Sequence, residues 1–225
     1  MNLKVRDRGT AINYERLYQF RFRDVDTEAR ERVWKVISKD LYERMGSPRA
    51  VLDPAAGSCE FIATVPSAER WAVDRVKYVA KDLPGIHFIV ADIFSAELPV
   101  DYFDGVLVSN FLEHLPTQEA VADLLEKLAR SMKTGGKIAV MGPNFKYCAK
   151  EYFDCADHIL ALSHLAVEEH LYAANLNPVY TKAKYLPYSF RGILPPSPAL
   201  TSVFLKLKAA QALLGKQFLV IAEKR

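Results

Sequence analysis

The sequence predicts an α/β protein with a doubly wound, mostly parallel sheet of seven strands and helices on both faces. Three observations support this fold. Short apolar runs typical of buried strands alternate with helical segments, which is the pattern of βαβ units. Three of these runs lead to an acid, at Asp53, Asp74 and Asp92. The first acid is followed by a turn of small residues, 54–58, whose backbone a ligand can approach closely.

The strands are defined by apolar runs that end at turn residues. We predict them at 51–53, 70–74, 86–92, 103–109, 137–141, 177–185 and 218–222. Helical spacing predicts short helices at 61–64 and 76–82, and longer ones at 117–132, 163–175 and 199–214. Thr117 and Ser163 are suitable N-caps for two of the longer helices, and Gly215 is expected to end the last one.

The segment before the first strand has a different character. Residues 1–12 are expected to form a variable arm, and 13–46 have helical, aromatic-rich spacing. Asp26 or Thr27 can cap the longer helix there, and Gly46 can end it. We interpret residues 1–48 as a helical N-terminal cap that belongs to the same domain as residues 49–225.

Composition is that of an ordinary globular protein. The 225 residues suit one domain, and the net charge of +3 without a basic, aromatic-rich block does not indicate a nucleic-acid partner. No uncharged run is long enough to span a membrane, and residues 1–10 lack the apolar core of a signal peptide. Cys59, Cys148 and Cys155 fit neither a disulfide framework nor a zinc pattern, which favours a reducing cytoplasm. No metal site can be placed.

The spacing of the acids indicates a nucleotide-type site. Asp74 follows Asp53 by 21 residues, which is the spacing at which an acid accepts hydrogen bonds from ribose hydroxyls. In open α/β sheets the ligand binds at the carboxyl ends of the strands, where all three acids are expected to meet.

The chain resembles the class I S-adenosylmethionine-dependent methyltransferases over roughly residues 49–142. Residues 51–61 (VLDPAAGSCEF) are similar to the first motif of that family, 103–116 (FDGVLVSNFLEHLP) to its fourth-strand motif and 132–138 (MKTGGKI) to its glycine-rich turn. The resemblance implies a Rossmann-like fold whose last strand lies antiparallel beside the sixth. Ala55 and Cys59 depart from the pattern, because the family is usually richer in glycine there.

The resemblance also implies S-adenosyl-L-methionine as the cofactor, bound at the ends of the first four strands. By motif, the binding residues are Asp53, Ala55 and Gly57 at the methionine part, Asp74 and Arg75 at the ribose, Asp92 and Ile93 at the adenine, and Asn110 and Phe111 at the sulfonium end. Tyr14, Tyr18, Arg21 and Arg23 of the cap are candidates to fold over the cofactor mouth, where an arginine can bind a carboxylate.

His114 is the predicted catalytic base. It follows the fourth strand, and an imidazole pKa near 6.5 suits proton removal at neutral pH. A structural histidine bonded to backbone is the alternative, and His158 and His164 are rival bases. The long connection 143–165 is interpreted as a lid, since connections of this length are often functional. The residues predicted to bind the substrate are Tyr147, Tyr152, His158 and Tyr188, although at least two of the tyrosines at 147, 152, 185 and 188 are expected in the core.

The sequence therefore predicts a methyltransferase for a small-molecule acceptor, with a hydroxyl of a sugar, glycolipid or natural product favoured. A nucleotide-dependent oxidoreductase is less well supported, since the turn lacks Gly-x-Gly-x-x-Gly. A non-catalytic binding protein of the same fold is the third alternative. The C-terminal helix and strand, 199–223, place Leu200, Val203, Phe204, Leu207 and Leu214 near one helical face, which favours packing on the sheet or in a homodimer over a membrane surface.

Overall fold

The computed structural model describes residues 13–23, 25–76, 83–187 and 197–225. Three parts of the sequence prediction lie outside these ranges: the arm 1–12, residues 77–82 of the predicted helix 76–82, and Tyr188. Helices α1 to α8 span Tyr14–Phe22, Thr27–Arg44, Glu60–Thr64, Gln118–Ser131, Phe145–Cys148, His164–Ala173, Pro198–Lys206 and Lys208–Leu214. Strands β1 to β7 span Ala50–Asp53, Glu69–Asp74, Ile86–Val90, Phe103–Ser109, Met132–Pro143, Leu176–Leu186 and Gln217–Lys224.

All seven strands form one sheet in the order β3-β2-β1-β4-β5-β7-β6. Strands β1 to β5 pair in parallel, and β7 is antiparallel to both β5 and β6. This arrangement confirms the predicted mostly parallel, doubly wound sheet and the reversed last strand. The parallel pairing places the carboxyl ends of β1 to β5 at one edge of the sheet.

Both faces of the sheet are buried by helices. Along β4, Val106 and Val108 contribute to the core that α4 and α6 cover, whereas Leu107 contributes to the core under α2 and α3. Successive side chains of a strand point to opposite faces, so such an apolar run requires helices on both sides. Within the described residues, no helix has the length and apolar character needed to cross a membrane.

Helix termini follow the predicted caps. Asp26, rather than Thr27, accepts a hydrogen bond from the Ala29 N–H (3.0 Å) at the start of α2. Thr117 accepts one from Ala120 (3.2 Å), which starts α4 in the same way. Each side chain satisfies a backbone donor that has no partner inside its helix.

Two boundaries differ from the sequence prediction. Strand β5 begins at Met132 instead of Lys137, because residues 133–136 form an irregularity inside the pairing with β4 rather than a turn before it. Gly136 permits this close packing, since a Cβ there would lie 2.8 Å from the Lys133 carbonyl oxygen. The other difference concerns the C-terminal helix.

The predicted helix 199–214 is divided into α7 and α8 at Leu207, whose backbone is extended (ψ 97°). The break allows α8 to bury Gln211, which donates to the carbonyl oxygens of Leu205 and Tyr185 (3.4 Å each). The prediction of one continuous apolar face is therefore wrong. Phe204 packs against the core, whereas Leu200, Val203, Leu207 and Leu214 are exposed.

Helix α2 of the N-terminal segment is part of the main core. Val33, Ile37 and Leu41 are buried in the same cluster as residues of β1 and β4. At the sheet edge, the buried Tyr185 of β6 donates to Asp40 Oδ2 of α2 (2.7 Å). Asp40 also accepts from Arg44 Nε (2.6 Å), so its charge is compensated.

We expect Tyr185→Phe to lower the free energy of unfolding by about 1 kcal/mol, because the buried hydrogen bond to α2 is lost. Chemical denaturation monitored by circular dichroism would measure the change. Tyr172→Phe, at an exposed tyrosine of α6, is the matched control. Equal stability of the two variants would contradict a structural role for this contact between α2 and β6.

Candidate functional site

Polar residues meet at the carboxyl edge of the sheet. Asp53 ends β1, Asp74 ends β2, and Asp92 lies just beyond β3. Asn110 follows β4 and Asn144 follows β5. Because these five strands are parallel, residues far apart in sequence line one edge, which is where ligands of open α/β sheets bind.

The loop after β1 leaves an open space at the edge. Gly57 has φ +49°, and a Cβ built on it would meet no heavy atom within 4 Å. Its N–H donates to Asp74 Oδ2 (2.8 Å), which joins the loop to the end of β2. Cys59, at φ +62°, adopts the left-handed backbone that glycine favours, and its side chain is buried. That backbone costs about 1 kcal/mol in a residue with a Cβ.

Asp53 is a buried acid, with only 4% of its surface exposed. Its Oδ1 accepts from the Ala55 N–H (3.3 Å). Burial raises the pKa of Asp53 to about 7; the Ala55 hydrogen bond opposes this shift, and the charge of Asp74 adds to it. A carboxylate held in this way favours a nearby positive charge, which would compensate its loss of hydration.

The predicted ribose and adenine residues lie beside each other. Asp74 Oδ1 accepts from the Val76 N–H (3.1 Å). Arg75 Nε donates to Asp92 Oδ2 (2.8 Å), in an ion pair that is largely exposed. Ile93 instead packs into the core.

These features fit S-adenosylmethionine. The open space at Gly57 leaves room for a ligand against the backbone, and the carboxylates of Asp53 and Asp74 are groups that can accept hydrogen bonds from an ammonium group or from hydroxyls. At the next strand end, Asn110 is exposed with φ +48° and donates from Nδ2 to Ser109 Oγ (3.0 Å). Phe111 is half-buried against the core.

His114 lies in a 3₁₀ turn, Leu112–His114, that follows β4. Its Nδ1 is 2.9 Å from the Asp157 carbonyl oxygen. A carbonyl oxygen only accepts hydrogen bonds, so Nδ1 carries the proton in the neutral ring and Nε2 keeps a lone pair. Nε2 is 3.9 Å from Glu113 Oε1. This geometry leaves Nε2 available to accept a proton or to ligate a cation.

Asp157 connects His114 with the N-terminal segment. Its buried carboxylate forms an ion pair with Arg21 of α1 and lies 3.5 Å from His114 Nδ1. Burial disfavours the charged form, but the hydrogen bond from Arg21 and the charge of His114 outweigh it and lower the pKa of Asp157. The structure thus places Arg21 against an acid of the 143–165 segment, whereas Arg23 lies over the Phe20 ring (4.0 Å). The side chains of Tyr14 and Tyr18 are outside the described part.

The 143–165 segment is attached to the turn that carries His114. The Ile159 and Leu160 N–H groups donate to the Glu113 carbonyl oxygen (2.8 and 3.1 Å). The Glu113 carboxyl group is buried, and burial raises its pKa. The His158 ring centroid lies 5.0 Å from that of His114. Burial, followed by the charge of His114, lowers the pKa of His158 to about 4, so this ring is neutral at physiological pH.

The predicted substrate tyrosines separate into different environments. Tyr152 is fully buried; its hydroxyl donates to the Leu160 carbonyl oxygen (2.7 Å) and accepts from the Leu162 N–H (3.2 Å). It supports the 143–165 segment, which differs from the prediction that it contacts substrate. Tyr147 is partly exposed beneath Lys184 Nζ (4.6 Å from the ring). His164, a rival base, lies with Nδ1 2.9 Å from Asn144 Nδ2.

Sequence reasoning missed two acids of this site. Glu113 precedes His114, and Asp157 precedes His158, so proximity to the predicted histidines was the available signal. Their shared location depends on the attachment of residues 143–165 to the turn after β4, which sequence spacing does not reveal.

Comparisons with known proteins agree with the fold. Residues 45–140 match the family model described as "Methyltransferase domain". No curated protein gives a significant match. Because the family match includes β1 to β4 and most of β5, it covers the strands that carry the acids and His114.

Several solved structures are similar over most of their length. A SAM-dependent methyltransferase from Archaeoglobus fulgidus has 20% identity and a TM-score of 0.62, covering 94% of this chain and 100% of that chain. A methyltransferase from Haloferax volcanii, in complex with the Trm112 activator, has 16% identity and a TM-score of 0.61, covering 88% and 94%. The 1,6-didemethyltoxoflavin-N1-methyltransferase of Burkholderia thailandensis, solved with S-adenosylhomocysteine, has 18% identity and a TM-score of 0.58, covering 94% and 88%.

We expect Asp53→Asn to stabilise the protein without ligand, by about 2–4 kcal/mol above pH 7. The folded-state pKa of about 7 exceeds the ordinary 3.8, so the folded protein binds more protons than the unfolded chain between these values. Wild-type stability should therefore fall as pH rises from about 4 to 7, and the variant should lose this component. Denaturation at several pH values would measure it, with exposed Asp123→Asn as the control. Parallel pH profiles for wild type and Asp53→Asn would contradict the assignment.

Proposed function

We propose that the chain is a class I S-adenosylmethionine-dependent methyltransferase and that its acceptor is a hydroxyl of a small molecule such as a sugar, glycolipid or natural product. The observation that carries the proposal is the position of His114. Its Nε2 lone pair lies just beyond β4, at the sheet edge that also carries Asp53 and Asp74. A proton acceptor at this place is most useful for a hydroxyl, which must lose its proton when it is methylated.

We assign the cofactor contacts to the first four strand ends. Asp53, with Ala55 and Gly57, would border the methionine part, because a buried carboxylate favours the cofactor ammonium group. Asp74 would accept from the ribose hydroxyls, with Arg75 beside it. Asp92 and Ile93 would border the adenine, and Asn110 and Phe111 the sulfonium end; the match to the methyltransferase family supports these assignments.

When bound, S-adenosylmethionine supplies an electrophilic methyl group; the carbon–sulfur bond breaks, the sulfur keeps the electron pair, and the carbon–oxygen bond to the acceptor forms. The protein must align the hydroxyl with this bond and take up its proton. We assign the activation of the hydroxyl to His114, whose ring is held by the Asp157 carbonyl oxygen. Arg21 holds Asp157 in turn, so the cap and the 143–165 segment together fix the ring.

The 143–165 segment would serve as the lid, as its contacts with the Glu113 carbonyl support. Tyr147 and His158 are the described candidates to contact the acceptor, and Tyr188 stays a prediction outside the described residues. We also propose a cytoplasmic location, which is supported by three free cysteines. A homodimer, the absence of a nucleic-acid partner and the division into cap and main part stay predictions.

We expect Asp74→Asn to weaken S-adenosylmethionine binding at least tenfold. The amide can still accept from the Gly57 N–H but replaces a charged acceptor of the ribose hydroxyls, a loss of about 1.5–3 kcal/mol. Calorimetric titration with S-adenosylmethionine, S-adenosylhomocysteine and oxidised nicotinamide dinucleotide would show which class of cofactor the protein binds. The same titration of the variant would show whether Asp74 contributes to that binding. Asp101→Asn, at the opposite edge of the sheet, is the control. If Asp74→Asn bound S-adenosylmethionine as tightly as the wild type, Asp74 would not be a ribose-binding residue. If the wild type bound only the nicotinamide dinucleotide, the proposed methyltransferase function would be overturned.

We expect His114→Asn to reduce methyl transfer by about 10²–10⁴-fold while cofactor affinity changes less than about twofold. The asparagine amide can keep the hydrogen bond to the Asp157 carbonyl but lacks the Nε2 lone pair. Transfer of isotopically labelled methyl from S-adenosylmethionine to sugar, glycolipid and phenol acceptors would be measured. His170→Asn in α6 is the control. Full activity of His114→Asn would exclude a role for this histidine in activating the acceptor.

A further inference from the structure

We propose that Glu113, His114 and His158 bind a divalent transition-metal ion such as Zn²⁺. One ligand atom from each residue lies within 4.8 Å of the others. Two imidazoles and one carboxylate are the ligands of catalytic zinc sites that keep a position open for water or substrate. The inference rests on the proposed function, since it concerns how His114 activates the acceptor.

The ligand atoms of the cluster face one another, and one of them is buried without a donor. The His114 Nε2 lone pair lies 3.9 Å from Glu113 Oε1, and both groups are acceptors in these forms. Among the described residues, His158 Nδ1 is buried and has no hydrogen-bond partner. A buried acceptor without a donor is costly, and a cation bound there would compensate it together with the buried Glu113 carboxylate.

His114 is oriented in the way that metal-bound histidines usually are. Metal-ligating imidazoles donate their second N–H to a carbonyl or carboxylate, which fixes the ring and the tautomer. Here Nδ1 donates to the Asp157 carbonyl oxygen (2.9 Å), and Asp157 Oδ2 lies 3.5 Å from the same nitrogen. The ion pair with Arg21 holds Asp157 in turn. Nε2 is thereby directed away from its support, toward the Glu113 side.

The separations require only a small adjustment. Ligands about 2.1 Å from one ion lie at most about 4.2 Å apart. The His114–Glu113 pair already satisfies this limit at 3.9 Å. The full set, within 4.8 Å, must contract by less than about 1 Å. His158 precedes Ile159 and Leu160, whose N–H groups bind the Glu113 carbonyl, so its backbone is anchored beside the site and side-chain rotation can supply the change.

Such an ion would explain how this site deprotonates an alcohol. An acceptor hydroxyl in the open coordination position would lose its proton at lower pH than in water. The proton would pass to solvent, and the oxygen would then form the carbon–oxygen bond of the proposed transfer, with no change in the oxidation state of the metal. His114 would act as a ligand, and its lone pair would serve the ion instead of taking the proton directly.

The test is metal binding by the full-length protein after chelator treatment, without S-adenosylmethionine. We expect calorimetry to show one Zn²⁺ bound at micromolar affinity or tighter, and Co²⁺ to give visible absorption bands of a low-coordinate nitrogen and oxygen site. Glu113→Gln, His114→Asn and His158→Asn should each weaken binding at least tenfold. His170→Asn and His87→Asn, remote from the cluster, should bind as the wild type does.

The proposed metal site would be overturned if the wild type did not bind Zn²⁺. It would also be overturned if Glu113→Gln and His158→Asn bound Zn²⁺ as tightly as the wild type does. Calorimetry with S-adenosylmethionine separates the two proposals. If the cofactor binds and methyl transfer persists without metal, the proposed function stands and His114 takes the proton directly. If the metal binds at the three residues but the cofactor does not, the metal site stands and the methyltransferase function fails.

Discussion

The parallel pairing of β1 between β2 and β4 is the constraint on which the site depends. Register fixes it: Asp53 pairs beside Ala72, two residues before Asp74. Parallel strands end at the same edge, so acids that are about 20 residues apart in sequence become neighbours. Burial of the sheet on both faces leaves this edge as the place where polar groups can meet a ligand.

Concentrating carboxylates at a partly buried edge has an energetic cost. Asp53 loses hydration and lies near Asp74, and both effects raise its pKa. Some acids near the site are compensated by arginines of the protein: Asp157 by Arg21, Asp92 by Arg75 and Glu60 by Arg30. Asp53 and Glu113 are buried acids whose charge a bound cation would offset. The cofactor ammonium group and the proposed metal ion would supply that charge at the two ends of the site.

The second determinant is the attachment of residues 143–165 to the turn after β4. Hydrogen bonds to the Glu113 carbonyl position Asp157 and His158 beside His114. Tyr152 stabilises the segment from within, as its hydroxyl binds the backbone at Leu160 and Leu162. The contacts that attach this segment to the core therefore also bring His114, Asp157 and His158 together. A residue predicted to bind substrate, Tyr152, instead has this structural role.

The sequence by itself determined the sheet, the cap at Thr117 and the acids at the strand ends, because these depend on local periodicity, capping chemistry and spacing. Tertiary structure decided the rest. The break at Leu207 and the irregular start of β5 arise from packing against distant strands. The association of His114 with Asp157 and His158 joins residues more than 40 positions apart through backbone hydrogen bonds. No local pattern encodes such a contact, since its free energy arises only when the two segments are packed together.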